Sequence, residues 1–208
     1  MTDRTLLRAG AFAGPLFVLI FLVVGATRES YDAMRHPISS LALGPGGSVQ
    51  VVNFVLAGAL SLALAAGLWK VRKAGSVLIG VWGLGFLGTA FFTTDPVGGY
   101  PAGTPLYPVG TVHGMLHNLF ALVAAIAFVA ACIVMARGWV AYSVGTAVVF
   151  VAAMVVSAVG TAQTAGFVGV AGLSDRIAVV AAFAWLTAVA LREARRAAVI
   201  GSNDQVAG

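Results

Sequence analysis

Four side chains in this sequence have types and positions that could support chemistry. Asp95 follows the third apolar stretch, His113 and His117 open the fourth, and Arg176 opens the last. A carboxylate and an imidazole can exchange a proton with a bound substrate. A lone carboxylate at a membrane boundary is also compatible with a structural cap or a salt bridge, so both interpretations of Asp95 stay open.

A metal site is the second chemistry that these residue types allow. The spacing of His113 and His117 places both imidazoles on one helix face. With His36 and Asp95 as further ligands, three imidazoles and one carboxylate would match zinc, the cofactor that the sequence suggests. The positive end of a helix disfavours a nearby cation. The histidines could instead be neutral hydrogen-bonding groups, or a proton relay with Asp95. The candidate metal ligands are therefore His36, Asp95, His113 and His117.

Further polar residues lie near these candidates. Asp32 and Arg35 have the spacing of a helical ion pair. Arg176 lies in a first helical turn, where a cation opposes the helix dipole. We therefore expect Arg176 to meet an anion or a carboxylate, with Asp95 and Asp32 as first candidates. The residues that we predict to bind a substrate or ligand are Tyr31, Asp32, Arg35, Gln50, Asn53 and Asp175.

The composition indicates which kind of secondary structure holds these side chains in place. Of 208 residues, 60% are hydrophobic and 9% are charged, whereas a soluble domain has about a quarter charged residues. This composition excludes a soluble globular domain and a disordered chain, and the single cysteine excludes a disulfide framework. Six apolar stretches approach the ~20 residues that cross a bilayer, so we predict an up-and-down bundle of six transmembrane helices. They cover about 9–27, 49–69, 74–92, 112–136, 139–162 and 177–191.

The basic residues predict how this bundle is oriented. Nine of the 12 lysines and arginines lie at the two ends of the chain and in two short turns. By the positive-inside rule both termini are cytoplasmic, and the long loops at about 28–48 and 93–111 are outside. The first stretch also resembles a signal peptide, but its length favours a retained span. The net charge of +5 reflects topology and does not indicate nucleic-acid binding. We expect one domain over 1–200 and a flexible tail over 201–208.

Short loop motifs resemble a known family. They comprise Tyr31-Asp32, Ile38-Ser39-Ser40-Leu41, Gly44-Pro45-Gly46-Gly47, Asp95, a histidine at the start of the fourth stretch, and Gly172-Leu173-x-Asp175-Arg176. This pattern resembles a bacterial six-helix membrane family catalogued as domain of unknown function 998, over nearly the whole chain. The resemblance implies a multi-pass protein of the bacterial cytoplasmic membrane and implies no particular activity.

Three functional hypotheses follow. The first is an outward-facing pocket with a polar floor that binds a lipid or another hydrophobic small molecule, with membrane lipids as partners. The second is an enzyme that acts on a lipid-like substrate by Asp/His proton transfer, or a hydrolase with a His/Asp-bound metal. The third, a transporter, fits poorly with span centres that carry few polar residues. We rank binding first. The candidate catalytic residues are Asp95, His113, His117 and Arg176.

Overall fold

Long helices run through the structure, joined by short turns at one end and long loops at the other. The computed structural model describes the backbone of residues 3–163 and 166–206, and the side chains of these ranges up to Val199. Two 3-10 helices, Ile38–Ala42 and Val168–Val170, lie in the connections. The α-helices are α1 (Asp3–Ala11), α2 (Ala13–Thr27), α3 (Ser48–Leu68), α4 (Lys73–Phe91), α5 (Val112–Val134), α6 (Val140–Thr161) and α7 (Ala171–Val206).

The predicted all-helical membrane fold is confirmed. In the described part of the chain, six helical segments are long and apolar enough to cross a membrane, with α1 and α2 together forming the first. The ends of α3, α4, α5 and α6 lie within two residues of the predicted span ends.

The last helix is longer than predicted. It starts at Ala171 and continues through Val206, because the charged stretch after the apolar run is rich in alanine, arginine and glutamate, which favour helix. Residues 201–206, which we expected to form a flexible tail, therefore continue α7, and residues 207–208 lie outside the described part.

The first span is interrupted between α1 and α2. Pro15 has no backbone N–H to donate to the carbonyl of Ala11, and its ring disfavours a continuous helix through that turn. The hydroxyl of Thr187 on α7 donates a hydrogen bond to the Ala11 carbonyl at 3.2 Å. A side chain from the last helix thus satisfies a carbonyl that the first helix cannot satisfy.

An aromatic cluster fills the middle of the bundle. Phe17, Trp82, Phe86 and Phe183 come from α2, α4 and α7, and their ring centroids lie 4.8–5.6 Å apart in the closest pairs. Around this cluster the helices approach closely where small residues face each other. A Cβ at Gly58 would lie 2.8 Å from the Gly83 carbonyl oxygen, so α3 and α4 pack backbone to backbone there.

The two ends of the bundle differ in the connections that they carry. We call the end with the first loop (28–47) and the second loop (92–111) the loop face, and the end with residues 3, 70–73, 137 and 192–196 the basic face. At the basic face the Glu193 carboxylate is buried and pairs with Arg72 at 3.4 Å and Arg196 at 2.9 Å, and Asp3 pairs with Lys70 at 3.2 Å. The loop face is the predicted outer side.

Candidate functional site

The first loop is held against α7 by one arginine and one tyrosine. The Arg176 guanidinium donates to the carbonyl oxygens of His36 at 3.1 Å and Gly172 at 2.8 Å, and to the Tyr31 hydroxyl. Tyr31 in turn donates to the carbonyls of His36 and Pro37. Burial raises the pKa of Tyr31 to about 12, so its hydroxyl stays protonated and available as a donor. Arg176 therefore holds the first loop in place through hydrogen bonds.

The carboxylates of the loop face bind backbone N–H groups. Asp175 accepts a hydrogen bond from the Ile38 amide at 2.8 Å, and Asp32 accepts one from the Met34 amide at 2.8 Å. Neither the expected ion pair between Asp32 and Arg35 nor a carboxylate partner for Arg176 forms among the described residues. Irregular loop backbone needs hydrogen-bond partners when it packs on a bundle, and these side chains supply them.

His36 joins the two loops. Its Nδ1 accepts a hydrogen bond from the Asp32 amide at 3.0 Å, and its Nε2 faces the Gly98 carbonyl oxygen at 3.3 Å, which assigns the proton to Nε2. Its ring packs between Tyr31 and Tyr100, with centroids 5.6 and 5.2 Å away. Burial lowers the pKa of His36, so the neutral ring is favoured. Both nitrogens are occupied within the protein.

Gly98 allows this junction because it has no side chain. Its φ of +69° is one that L residues rarely adopt, and a Cβ there would lie 3.1 Å from the His36 ring. The same Cβ would lie 3.4 Å from Arg35 Nε, so Arg35 packs over this glycine as well. Loop contact at Gly98 thus brings His36 and Arg35 to the same part of the loop face.

Asp95 caps the helix that follows the second loop. Its two carboxylate oxygens accept from the Thr111 amide at 3.0 Å and the Thr111 hydroxyl at 2.6 Å. The Thr111 hydroxyl also accepts from the Gly114 amide, as an N-cap side chain does. A Cβ at Gly114 would lie 2.0 Å from the carboxylate, so the carboxylate rests against the first turn of α5. Of the two interpretations of Asp95, the cap is the one that this geometry matches.

The two histidines of α5 point toward the same residue at different depths. His113 is exposed, and its ring lies 5.6 Å from the ring of Phe92. His117 is buried, and its Nδ1 lies 2.8 Å from the Phe92 carbonyl oxygen and 3.2 Å from that of Thr89. Because both partners are acceptors, Nδ1 carries the proton. His117 therefore donates to carbonyl groups at the C-terminal end of α4.

Residues proposed for catalysis or for metal binding form hydrogen bonds with different partners. Asp95 contacts Thr111, Arg176 contacts the first loop, and His117 contacts the end of α4. Within the described ranges no group of three or more histidine, cysteine, aspartate or glutamate side chains could hold a metal ion. Three of the four candidate metal ligands bond to different segments: His36 to Gly98, Asp95 to Thr111, and His117 to the end of α4.

Four buried polar atoms near the loop face have no hydrogen-bond partner in the protein. Two lie in the first loop, on Arg35 and Ser40, and two lie in the first two turns of α3, on Gln50 and Asn53. Such atoms are rare in folded proteins, because leaving one buried and unmatched costs about 1–3 kcal/mol. The atoms are Arg35 Nε, Ser40 Oγ, Gln50 Nε2 and Asn53 Oδ1.

The amides of Gln50 and Asn53 have a defined orientation. Asn53 Nδ2 donates to the Phe17 carbonyl at 3.1 Å and to Gln50 Oε1 at 3.3 Å. Exchanging the oxygen and nitrogen of either amide would place like groups together, so these bonds fix the assignment. The pair is left with one free donor, Gln50 Nε2, and one free acceptor, Asn53 Oδ1.

Sequence reasoning missed two residues of this region. Thr111 precedes the first residue of α5, and a threonine directly before an apolar helix is a recognisable N-cap signal. Ser40 lies in a short 3-10 helix inside a loop, and although it belongs to a family-like motif, the sequence does not indicate that it is buried. Its complete burial comes from tertiary packing alone.

Two shallow surface concavities lie at the basic face. One of about 540 Å³ is lined by residues from Gly138 to Tyr142, and one of about 470 Å³ lies between α3 and α4 near Trp69 and Ser76. Both are far along the bundle from the residues predicted to bind a ligand. The outward-facing pocket expected from the sequence stays a prediction.

Comparison with known proteins gives one match. A family model described as protein of unknown function (DUF998) matches residues 11–192, from the end of α1 to the charged part of α7. No curated protein and no solved structure matches the chain. The matched range includes every residue of the loop face discussed above.

Proposed function

The chain belongs to the DUF998 family, and we propose that it binds a lipid or another hydrophobic small molecule at its loop face. The observation that carries this proposal is the set of unmatched buried polar atoms on Arg35, Ser40, Gln50 and Asn53. A ligand with a polar end would provide the hydrogen bonds that the protein does not. The proposed role is binding within the membrane.

The predicted ligand-binding residues divide into two groups. Tyr31, Asp32 and Asp175 form hydrogen bonds inside the protein and build the first loop. Each of the other three has one buried polar atom without a protein partner, and these are the residues that we propose to contact the polar end of the ligand. They are Arg35, Gln50 and Asn53.

Apolar surroundings suit the remainder of such a ligand. Phe17 and Phe54 are buried beside Asn53, while Val49 and Val52, next to Gln50 and Asn53 along α3, are exposed on the outside of the bundle. A hydrocarbon chain could therefore lie among apolar side chains close to the lipid-facing side of α3. The polar end would then sit near the boundary of the membrane, where headgroups lie.

The enzyme alternative has no comparable support. Proton transfer would require Asp95 and a histidine or Arg176 on one substrate, and each of these side chains has its own separate partners. A hydrolytic metal site would need at least three such ligands together, and the described residues form no such group. Binding without conversion is the function that we propose.

Photochemical labelling tests the proposal. We expect diazirine-bearing hexadecanol, or its fatty-acid counterpart, to label the purified protein saturably at peptides from the first loop and α3. A double variant, Gln50→Leu with Asn53→Leu, should label about tenfold less, because a tenfold loss corresponds to about 1.4 kcal/mol, the size of one lost hydrogen bond. Leucine approximates the shape of both side chains, so the fold should persist.

The matched control is Ser61→Ala. Ser61 is also on α3, fully buried and unmatched, but it lies further from the loop face. Its loss should leave labelling unchanged. Equal labelling of the wild type and the double variant, or no saturable labelling of the wild type by either probe, would contradict the proposal. Thermal unfolding of each protein in detergent checks that the variants are folded.

A further inference from the structure

The second loop carries an exposed apolar tip. From Pro96 to Val112 the sequence contains no charged residue, although the chain has 19 in total. Leu106, Tyr107 and Val109 have 53%, 68% and 63% of their surfaces exposed. Large apolar side chains clustered at a surface mark a site of interaction with a protein or a membrane. We call residues 105–109 the tip.

Backbone hydrogen bonds connect the tip to the other side of the second loop. The Gly98 amide donates to the Leu106 carbonyl at 3.0 Å, and the Gly99 amide donates to the Pro105 carbonyl at 3.3 Å, so the two sides of the loop pair. At the base of the loop, Asp95 binds Thr111. These bonds constrain the loop backbone while the apolar side chains point outward. Covering the side chains with a surface therefore costs little further backbone entropy.

The apolar surface continues from the tip onto α5. Val112 and Met115 are exposed in the first turns of the helix, and the same face stays exposed and apolar along its length, whereas the opposite face packs inside the bundle. In a multi-pass membrane protein such a stripe faces lipid. The exposed stripe comprises Val112, Met115, Leu119, Leu122, Ile126 and Ile133.

The length of α5 places the tip at the edge of the bilayer. Its 23 residues, at about 1.5 Å each, span about 34 Å, slightly more than the ~30 Å hydrocarbon core. The tip precedes the helix and therefore lies at the level of the lipid headgroups. An exposed tyrosine with neighbouring apolar residues is typical of that layer.

The first loop provides the contrast. At the same face it carries the exposed carboxylates Glu29 and Asp32, which suit contact with water. From this difference, and from the continuity with α5, we propose that the tip of the second loop inserts into the interfacial layer of the bilayer and anchors the loop face to phospholipid. This anchor is independent of the ligand proposed above.

Site-directed spin labelling tests the anchor. Cys132 is buried, so the unmodified protein should take up little label and serves as the blank. Tyr107→Cys, Glu29→Cys and Leu122→Cys would be labelled and reconstituted in vesicles of palmitoyl-oleoyl phosphatidylcholine and phosphatidylglycerol. Collision rates of each nitroxide with oxygen, which prefers lipid, and with a water-soluble nickel chelate then report depth.

We expect the ratio of oxygen to nickel collisions to rise from position 29 to 107 to 122. All three side chains are exposed, so the substitutions leave the core intact, and gel filtration of each labelled protein checks this. A ratio at 107 equal to that at 29 would overturn the proposal by placing the tip in water. Protection of position 107 from both reagents would overturn it too, because a protein surface would then cover the tip.

Discussion

The two faces of the bundle carry charges that act in different ways. At the basic face the acidic side chains pair with basic ones, as Glu193 does with Arg72 and Arg196. At the loop face no carboxylate lies within ion-pair distance of an arginine among the described side chains. There Asp175 accepts from a backbone amide, and Arg176 donates to backbone carbonyls.

The difference follows from the length of the connections. At the basic face short turns leave few backbone groups outside helices, so the charged side chains are free to pair. At the loop face the first and second loops have about 20 residues each, and their buried N–H and C=O groups need partners that helix geometry does not provide. Arginine, with five donors and no acceptor, is well suited to collect several carbonyls at once. Charged side chains at the loop face therefore form hydrogen bonds with the loop backbone.

The largest effect should come from Arg176→Gln. This change removes charge-assisted hydrogen bonds to the carbonyls of His36 and Gly172 and to the Tyr31 hydroxyl. We expect the free energy of unfolding to fall by about 3 kcal/mol, since each such bond contributes about 1.5–3 kcal/mol and the three are not additive. SDS titration followed by far-UV circular dichroism measures the change.

Arg35→Gln is the matched control for Arg176→Gln. The chemical change is the same and the residue lies on the same face, but the Nε of Arg35 has no protein partner. Its unfolding free energy should change by less than about 0.5 kcal/mol. Equal losses of unfolding free energy in the two variants would contradict this comparison. They would show that the number of hydrogen bonds an arginine makes within the protein does not determine how much it stabilises the loop face.

A smaller loss should follow Gly114→Ala. Helix propensity alone favours alanine by about 1 kcal/mol. The new Cβ would lie 2.0 Å from the Asp95 carboxylate, however, and would displace it from Thr111 and the start of α5. We expect a net loss of about 2 kcal/mol in the same assay, because cap and dipole interactions are lost together.

Gly110→Ala separates this clash from a general effect of alanine. Gly110 is four residues earlier, and a Cβ there would meet no atom within 4 Å. The control should change the free energy of unfolding by less than about 0.5 kcal/mol. If Gly114→Ala stabilised the protein, the carboxylate would have room to move and the cap would be dispensable.

The smallest effects should arise at the basic face. Glu193→Gln leaves two arginines without their carboxylate, but both are partly exposed, so we expect a loss of about 1 kcal/mol that diminishes in high salt. Asp3→Asn breaks a pair whose members are largely solvated and should cost less than about 0.5 kcal/mol. A loss at Glu193 that exceeded the loss at Arg176 would reverse the comparison of the two faces.

The sequence predicts the helices well because apolar length and turn composition act locally. Lys70 and Lys73 mark the turn between α3 and α4, and Arg137 and Gly138 mark the next short one, so those ends fall within two residues. The first and last spans are longer than predicted because their charged ends are also good helix formers. Proline at position 15 was the available signal for the break in the first span.

The candidate site is less predictable because partner choice is a tertiary property. Spacing predicts that His113 and His117 share a helix face, yet it cannot tell that one is exposed and one buried. Nor does it tell that Asp95 reaches Thr111, because that contact closes a loop of 17 positions. Loop backbone competes for every charged side chain, and only the folded structure shows the outcome.

The interruption at Pro15 has a consequence for how the protein is made. The first span leaves the ribosome before the others, and its Ala11 carbonyl has no donor at position 15. Thr187, which supplies the donor, lies on α7, 176 positions later in the sequence. Until the seventh helix docks, the first one holds an unmatched polar group in the bilayer, a costly state in a solvent without hydrogen bonds. Hydrogen bonding of the Ala11 carbonyl therefore waits until α7 docks on the first span, which couples these two spans during insertion.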